Sequence, residues 1–343
     1  MLKLIRLVAI GLATLALTVD AMPASAQQTL EAVKKRGHLI CGVDGNLPGF
    51  SLFNAVKEWE GMDVDLCRAI AAATLGDANK AEFVPVTTSE RFDQLAAGKF
   101  DVLTRNSTYT LQRTAGTKVR FAVVNYYDGQ AFVVAKKAKI EQVAGLRSSN
   151  ICVTKGTTHE FNMGAWFQAR RLSVVQVPFD SDEAMYTGFF AGRCVAVTAD
   201  ATALAASIVR SGKAADYLML PDVISKEPLG PYVRDGDSQW LDIVAWTHYA
   251  MVEAEERGIN PKSIDAFKRE VTDPNLRLFL GVDPGNGKAL GLSEDWAYNI
   301  IKQVGNYGEI YEKNVGMGSA LKFSRGVNAL WTKGGLMYSM PMR

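Results

Sequence analysis

The stretch at 101–116, DVLTRNSTYTLQRTAG, begins as an apolar strand and continues in hydroxyls and amides, with Asn106, Ser107, Thr108, Tyr109 and Thr110 ahead of Arg113. A strand exit needs only about two or three turn residues, so this one carries surplus hydrogen-bonding capacity. Arg113 offers a planar fork that matches a carboxylate. Gly156, Thr157 and Thr158, in KGTTHE, lead into a helical pattern, whose free N–H groups and positive dipole end also favour an anion. Asp200, closing the apolar run CVAVTAD, supplies one carboxylate for a cation. Two devices for an anion and one for a cation describe an α-amino acid zwitterion. Taken singly, each has an ordinary use: a surface arginine, a Gly-Thr-Thr helix cap, an aspartate turn former.

Their placement at equivalent ends of two similar units strengthens the functional reading. From Gly37 the chain alternates HLICGVD, MDVDLCRAIAAATLG, AEFVPVT, SERFDQLAAGKF and DVLTRN, a strand–helix–strand–helix–strand order with Ser89 as the expected cap of the second helix. A second series follows: NICVTKG, a helix from THEFNM, VVQVPFDS, DEAMYTGFFAGR and CVAVTAD. QLAAGKFDVLTRN and GFFAGRCVAVTAD match letter for letter in kind. Such alternation predicts parallel sheets with right-handed crossovers, and open α/β sheets bind ligands at the carboxyl ends of their strands. The expected division is a leader at 1–26, a discontinuous lobe one at 27–128 and 226–343, and an inserted lobe two at 129–225.

The first residues read as that leader: Lys3 and Arg6, the uncharged run Leu7–Val19, then Ala24-Ser25-Ala26. An apolar run of 13 residues falls short of the roughly 20 that span a bilayer, so the expectation is a cleaved secretory signal. Removing 26 of 343 residues leaves 317, enough for two lobes with full cores. The formal charge of +2 becomes +1 once Lys3, Arg6 and Asp20 are gone, which argues against a nucleic-acid partner. Cys41, Cys67, Cys152 and Cys194 allow three pairings in an exported chain. Cys41–Cys67 with Cys152–Cys194 is favoured because each pair falls inside one strand-rich unit; four buried thiols is the alternative. With no C-x-x-C and the three histidines standing singly at 38, 159 and 248, neither a metal nor another cofactor is expected.

The sequence resembles the periplasmic solute-binding proteins of amino-acid ABC transporters (bacterial extracellular solute-binding proteins, family 3), closest to the general L-amino-acid branch. The resemblance runs through GHLICGVDGNLPGFS, WEGMDVDLCRAIAAATLGD, RFDQLAAGKFDVLTRNSTYTLQR, NYYDGQAF, ICVTKGTTHE and ISKEPLGPYVRDGDSQWLDIVAWTHYAM. It implies a type II fold, two α/β lobes joined by two crossover strands around a ligand cleft. It also implies that Arg113 holds the ligand's α-carboxylate with Thr108 and the Gly156-Thr157-Thr158 turn, and that Asp200 holds the α-ammonium beside Asn106. Asp44, Leu47 and Thr88 fall where relatives meet the ligand side chain. Leu47 stands where relatives often have an aromatic ring, which fits broad specificity. The implied partners are free L-amino acids and a membrane permease, and the protein is expected to act as a periplasmic monomer without enzymatic activity.

Two other classes remain open at this stage. The same scaffold serves exported cyclohexadienyl dehydratases, for which Asp44, Glu60 and His159 are the nearby general acids, and a ligand-presenting sensor subunit would share every motif. GVDPGNGKAL resembles a phosphate loop, but Gly281 to Gly287 is one residue too long and Ala289 lacks a hydroxyl; it reads as a surface turn. Arg105 has no assigned role.

Overall fold

The structure, a computed structural model, describes residues 28–343; the leader reading falls on 1–26 and lies outside the described residues. In chain order, the first unit comprises β1 (Leu39–Val43), α1 (Met62–Leu75), β2 (Ala81–Pro85), α2 (Arg91–Ala96), β3 (Val102–Thr108), β4 (Val119–Phe121) and β5 (Tyr126–Asp128). The second comprises β6 (Gln130–Ala135), β7 (Asn150–Thr154), α3 (Thr158–Ala169), β8 (Val175–Phe179), α4 (Asp182–Phe190), β9 (Ala196–Asp200), α5 (Ala201–Ser211) and β10 (Tyr217–Met219). The chain then returns through β11 (Glu227–Arg234) and α6 (Ser238–Glu256) to a helical tail.

The two sheets have the same plan. One runs β2-β1-β3-β11-β4 with β5 alongside β11; the other runs β8-β7-β9-β6-β10. In each, three parallel strands carry the alternating pattern, with Cys41 opposite Phe83 and Val102 in one and Cys152 opposite Val177 and Val197 in the other. The fourth strand is antiparallel in both: β11 against β3, and β6 against β9. The sheets are therefore mixed rather than parallel throughout. The physical reason is connectivity, because each fourth strand is the chain arriving from the other lobe.

Both crossovers pass close together. β5 and β6 are separated only by Gly129, where a Cβ would lie 2.3 Å from a Val223 methyl and 3.0 Å from the Ser225 carbonyl oxygen. A side chain there would push the two connections apart. The tail also holds this region, since the Asn328 side chain accepts from the Tyr127 N–H at 2.7 Å and donates to its carbonyl at 2.9 Å.

Packing follows from the apolar faces. α1 buries Ala69–Ala73 and Ile70 against the first sheet, with Trp240 of α6 and Trp296 beside it; Phe100, Leu103 and Tyr232 fill the opposite face. The second sheet has a core on each face, around Met185 and Phe189 and around Met163 and Phe167. Each lobe carries one disulfide: Cys41 of β1 to Cys67 of α1, with Cα atoms 6.4 Å apart, and Cys152 of β7 to Cys194 ahead of β9, 5.7 Å apart.

Two local readings resolve differently in detail, at Ser89 and at the phosphate-loop look-alike. Ser89 is not the cap of α2, which starts at Arg91 with no side-chain cap; the Ser89 hydroxyl instead lies 3.3 Å from that of Thr87. Asp237 caps α6 by accepting from the Trp240 N–H at 3.0 Å. The phosphate-loop look-alike is a short helix, Asn286–Leu290, and the Glu294 carboxylate accepts from the N–H groups of Gly285, Gly287 and Lys288 at 3.0–3.1 Å. Its anion position is filled by the protein itself. Among the described residues no helix is long and apolar enough to cross a membrane.

Candidate ligand-binding cleft

The carboxyl ends of the central strands of both sheets meet at a cleft of about 410 Å³. Asp44, Leu47, Thr88, Asn106, Thr108, Arg113, Thr157, Thr158 and Asp200 all line it. Gly156 does not; it takes a left-handed φ of 69°, and its N–H donates to the Glu160 carboxylate at 2.9 Å. That donor is consequently not free for a ligand, unlike the expectation for the Gly-Thr-Thr turn. Thr157 is the true cap of α3, accepting from the Glu160 N–H. Glu60 lies outside the cleft and accepts from the Asn54 amide at 3.1 Å.

Arg113 sits in the first turn of the short helix that follows β3, oriented by a donation to the Thr108 carbonyl at 2.9 Å. Its guanidinium lies 5.3 Å from the centre of the Phe92 ring and forms no ion pair among the described residues. Burial lowers its pKa, with the Tyr232 hydroxyl and the more distant Glu227 and Asp200 acting the other way. A half-buried cation without a carboxylate of its own among the described residues is suited to receive one from a ligand.

The hydroxyls expected to help it are engaged elsewhere. Thr108 and Thr158 both donate to Oε2 of Glu227, at 2.6 and 2.9 Å, while Asn162 and Ser225 donate to Oε1 at 2.8 and 2.5 Å. Glu227, the first residue of the returning crossover β11, thus ties both lobes together as a fully satisfied buried anion. One donor atom each of His159, Asp200 and Glu227 falls within 4.8 Å of the others. With Glu227 saturated by four donors, the cluster is a hydrogen-bond network rather than an open metal cage.

Asp200 ends β9 and is buried. His159 Nε2 contacts its Oδ1 at 2.9 Å, and the Asn106 amide donates to its Oδ2 at 3.2 Å from the opposite lobe. Asn106 reaches it from a left-handed backbone, φ 44°, a conformation asparagine tolerates better than most residues. Beneath it Asp63 is fully buried, and burial pushes its carboxyl up to about 7 against the opposing pull of the Asn106 N–H.

Arg105 is at the centre of a second crossing. Its Nη2 lies 2.6 Å from Asp44 and 3.4 Å from Asp182, while Nε donates to the Val86 carbonyl at 2.8 Å. Asp182 opens α4 on the other lobe and also accepts from Thr154 at 2.7 Å and Thr88 at 3.1 Å. Burial alone would raise the Asp182 pKa, but Arg105 and the two hydroxyls hold it below its ordinary value. Arg91 is buried in the cleft wall, its Nε without a hydrogen-bond partner among the described residues and its guanidinium 4.7 Å from the Phe92 ring centre. Arg91, Asp182, Glu227 and the His159–Asp200 pairing were not legible as site features. Arg91 sits within a helix pattern, Asp182 reads as an acidic helix start, and Glu227 lies in a Pro-rich extended run.

The model of the bacterial extracellular solute-binding proteins, family 3, matches residues 39–317. The chain belongs to that family. It is 44% identical to the general L-amino acid-binding periplasmic protein AapJ of Rhizobium johnstonii, over 98% of both chains. It is 43% identical to the glutamate/glutamine/aspartate/asparagine-binding protein BztA of Rhodobacter capsulatus, over 96% of this chain and 98% of that one. These family members are named as binding proteins. Among solved structures, a periplasmic binding protein from Brucella ovis with glutathione bound matches with a TM-score of 0.89 and 44% identity, covering 92% of this chain and 99% of that one. An ancestral arginine-binding protein bound to arginine matches with a TM-score of 0.57 and 28% identity, covering 65% and 94%. The type II fold of the family is the fold of this chain.

Proposed function

We propose that this protein captures free L-amino acids in the periplasm and delivers them to the permease of an ABC transporter, acting as a binding protein and not as an enzyme. The observation that carries the reading is the pairing of a half-buried guanidinium that has no ion-pair partner among the described residues, Arg113, with a buried carboxylate, Asp200, in one cleft between two lobes. In this reading Arg113 takes the α-carboxylate and Asp200 the α-ammonium. Asn106, Thr108, Thr157 and Thr158 shape the space between them, and Asp44, Leu47 and Thr88 face the side chain. The names of AapJ and BztA support the ligand class. Leu47 and Pro48 offer an apolar wall and Arg91 an unpartnered donor, so apolar, amide and acidic side chains all find a surface, and specificity is broad.

The signal-like sequence of residues 1–26 and the family's periplasmic relatives support export. The lobes divide at 128/129 and 225/226, where the chain leaves one sheet for the other, and a ligand bridging them favours closure in proportion to its preference for the closed state. Calorimetry against the twenty standard amino acids and the D-enantiomers of the nineteen chiral ones tests the reading: several L forms bind and D forms do not. Silence across the panel overturns it, and turnover of prephenate or arogenate by the pure protein overturns the non-enzymatic part.

A further inference from the structure

The ammonium site already has an occupant. Both oxygens of Asp200 are engaged within the protein, Oδ1 by His159 Nε2 at 2.9 Å and Oδ2 by the Asn106 amide at 3.2 Å. The two side chains of the His159–Asp200 pair are only 12% and 7% exposed, and both line the cleft. An arriving α-ammonium would therefore meet a carboxylate whose cationic partner is in place. We propose that His159 is the resident cation of the ammonium site, which stands in for the ligand's ammonium in the empty cleft and gives up its proton when an amino acid binds. The inference rests on the reading of Asp200 as the ammonium acceptor.

The electrostatics agree with the geometry. His159, in the first turn of α3, faces Asp200 on β9, Glu227 on β11 and Asp182 on α4. Burial opposes its charged form, yet these carboxylates, Asp200 foremost, raise it above its ordinary 6.5. Asp200 is in turn faced by His159, Glu227 and Asp182, by Asp128 at the end of β5, and by Arg113. Burial raises the Asp200 carboxyl against the pull of His159, and burial together with Asp200 raises its neighbour Asp128. A ligand ammonium beside Asp200 repels an imidazolium and favours the neutral ring. The sign follows: binding expels a proton, and affinity for an amino acid rises with pH until His159 is neutral in the empty cleft. By linkage the slope approaches about tenfold in affinity per pH unit for one proton. A ligand with the carboxylate but no amine would leave the pair intact.

The test uses the full mature protein and L-glutamine, titrated by calorimetry from pH 5.5 to 8.5 in pairs of buffers with different ionisation heats. Wild-type protein is expected to release close to one proton per ligand at the acid end and none at the alkaline end, with affinity rising in step. His159→Asn is expected to bind with a flat pH profile and no proton release. Asp128→Asn is expected to retain the release, since the Asp128 carboxyl, pushed up to about 7 by burial, is the other group beside Asp200 able to titrate there. In parallel, ¹⁵N imidazole shifts of the wild-type protein are expected to show His159 losing its proton on addition of L-glutamine, which needs no variant to fold. Absence of proton release from the wild type, its persistence in His159→Asn, or its loss in Asp128→Asn overturns the proposal. Unchanged affinity in Asp200→Asn overturns the ammonium assignment instead, and no binding of L-glutamine at any pH overturns the amino-acid reading itself.

Discussion

Arg105 on β3 reaches across the cleft to Asp182 at the start of α4, 3.4 Å away, while Asp44 holds the same guanidinium nitrogen from its own lobe at 2.6 Å. The lobes are thus joined by a charged contact between their own side chains, supplemented by Thr88 to Asp182 and Asn106 to Asp200.

Asp182→Asn is expected to weaken ligand affinity by about tenfold, the scale of one hydrogen bond to a charged group, and to shift the unliganded protein toward open forms in small-angle scattering. The Asp182 carboxyl lies below its ordinary 3.8, so its contribution is present above that value and disappears only as the pH falls through its lowered pKa. A closed-to-open change of the empty protein near neutral pH would point to a different group.

Arg113→Ala is expected to cost roughly 2–5 kcal/mol of amino-acid affinity, the usual loss when one partner of a buried charge pair is removed. Calorimetry reads it directly. Near-unchanged binding would show that the arginine serves the fold around Phe92 and Thr108 and not the ligand.

Each disulfide closes a substantial loop, 26 residues for Cys41–Cys67 and 42 for Cys152–Cys194. Replacing either pair with serine is expected to destabilise its lobe by about 3–4 kcal/mol, the loop-entropy scale, read as a lowered urea midpoint. Equal midpoints with and without reductant would refute it.

His248 is buried in α6 against Tyr307, with Nδ1 unpartnered among the described residues, and burial lowers its pKa from 6.5 to about 3. The unfolded chain then binds more protons than the folded one between those values. Its stabilising contribution is complete above pH 6.5 and is lost as the pH falls toward 3, by roughly 4–5 kcal/mol at full extent. His248→Gln is expected to flatten that part of the stability profile measured by chemical denaturation. An unchanged slope would show that other groups carry the acid sensitivity.

Local pattern sufficed for the alternation of strands and helices, the end of α1 at Gly76, and the placement of Arg113 and Asp200 after apolar runs. These depend on contacts a few residues apart, so spacing and residue type determine them. The disulfide pairing was also readable, because each pair falls within one unit. The antiparallel fourth strands were not, since β6 and β11 join sheets whose other strands lie far away in sequence. The same holds for the site. Thr108 and Thr158 look like ligand donors until Glu227 arrives from 119 and 69 residues away and takes both hydroxyls. His159 and Asp200 become a pair across 41 residues, and Arg105, without a role in the sequence, finds Asp182 77 residues on. Sequence alone determined which residue types stand at the strand ends. Tertiary structure decided which of them are already satisfied, because a buried charge is settled by whatever partner the fold brings within hydrogen-bond reach.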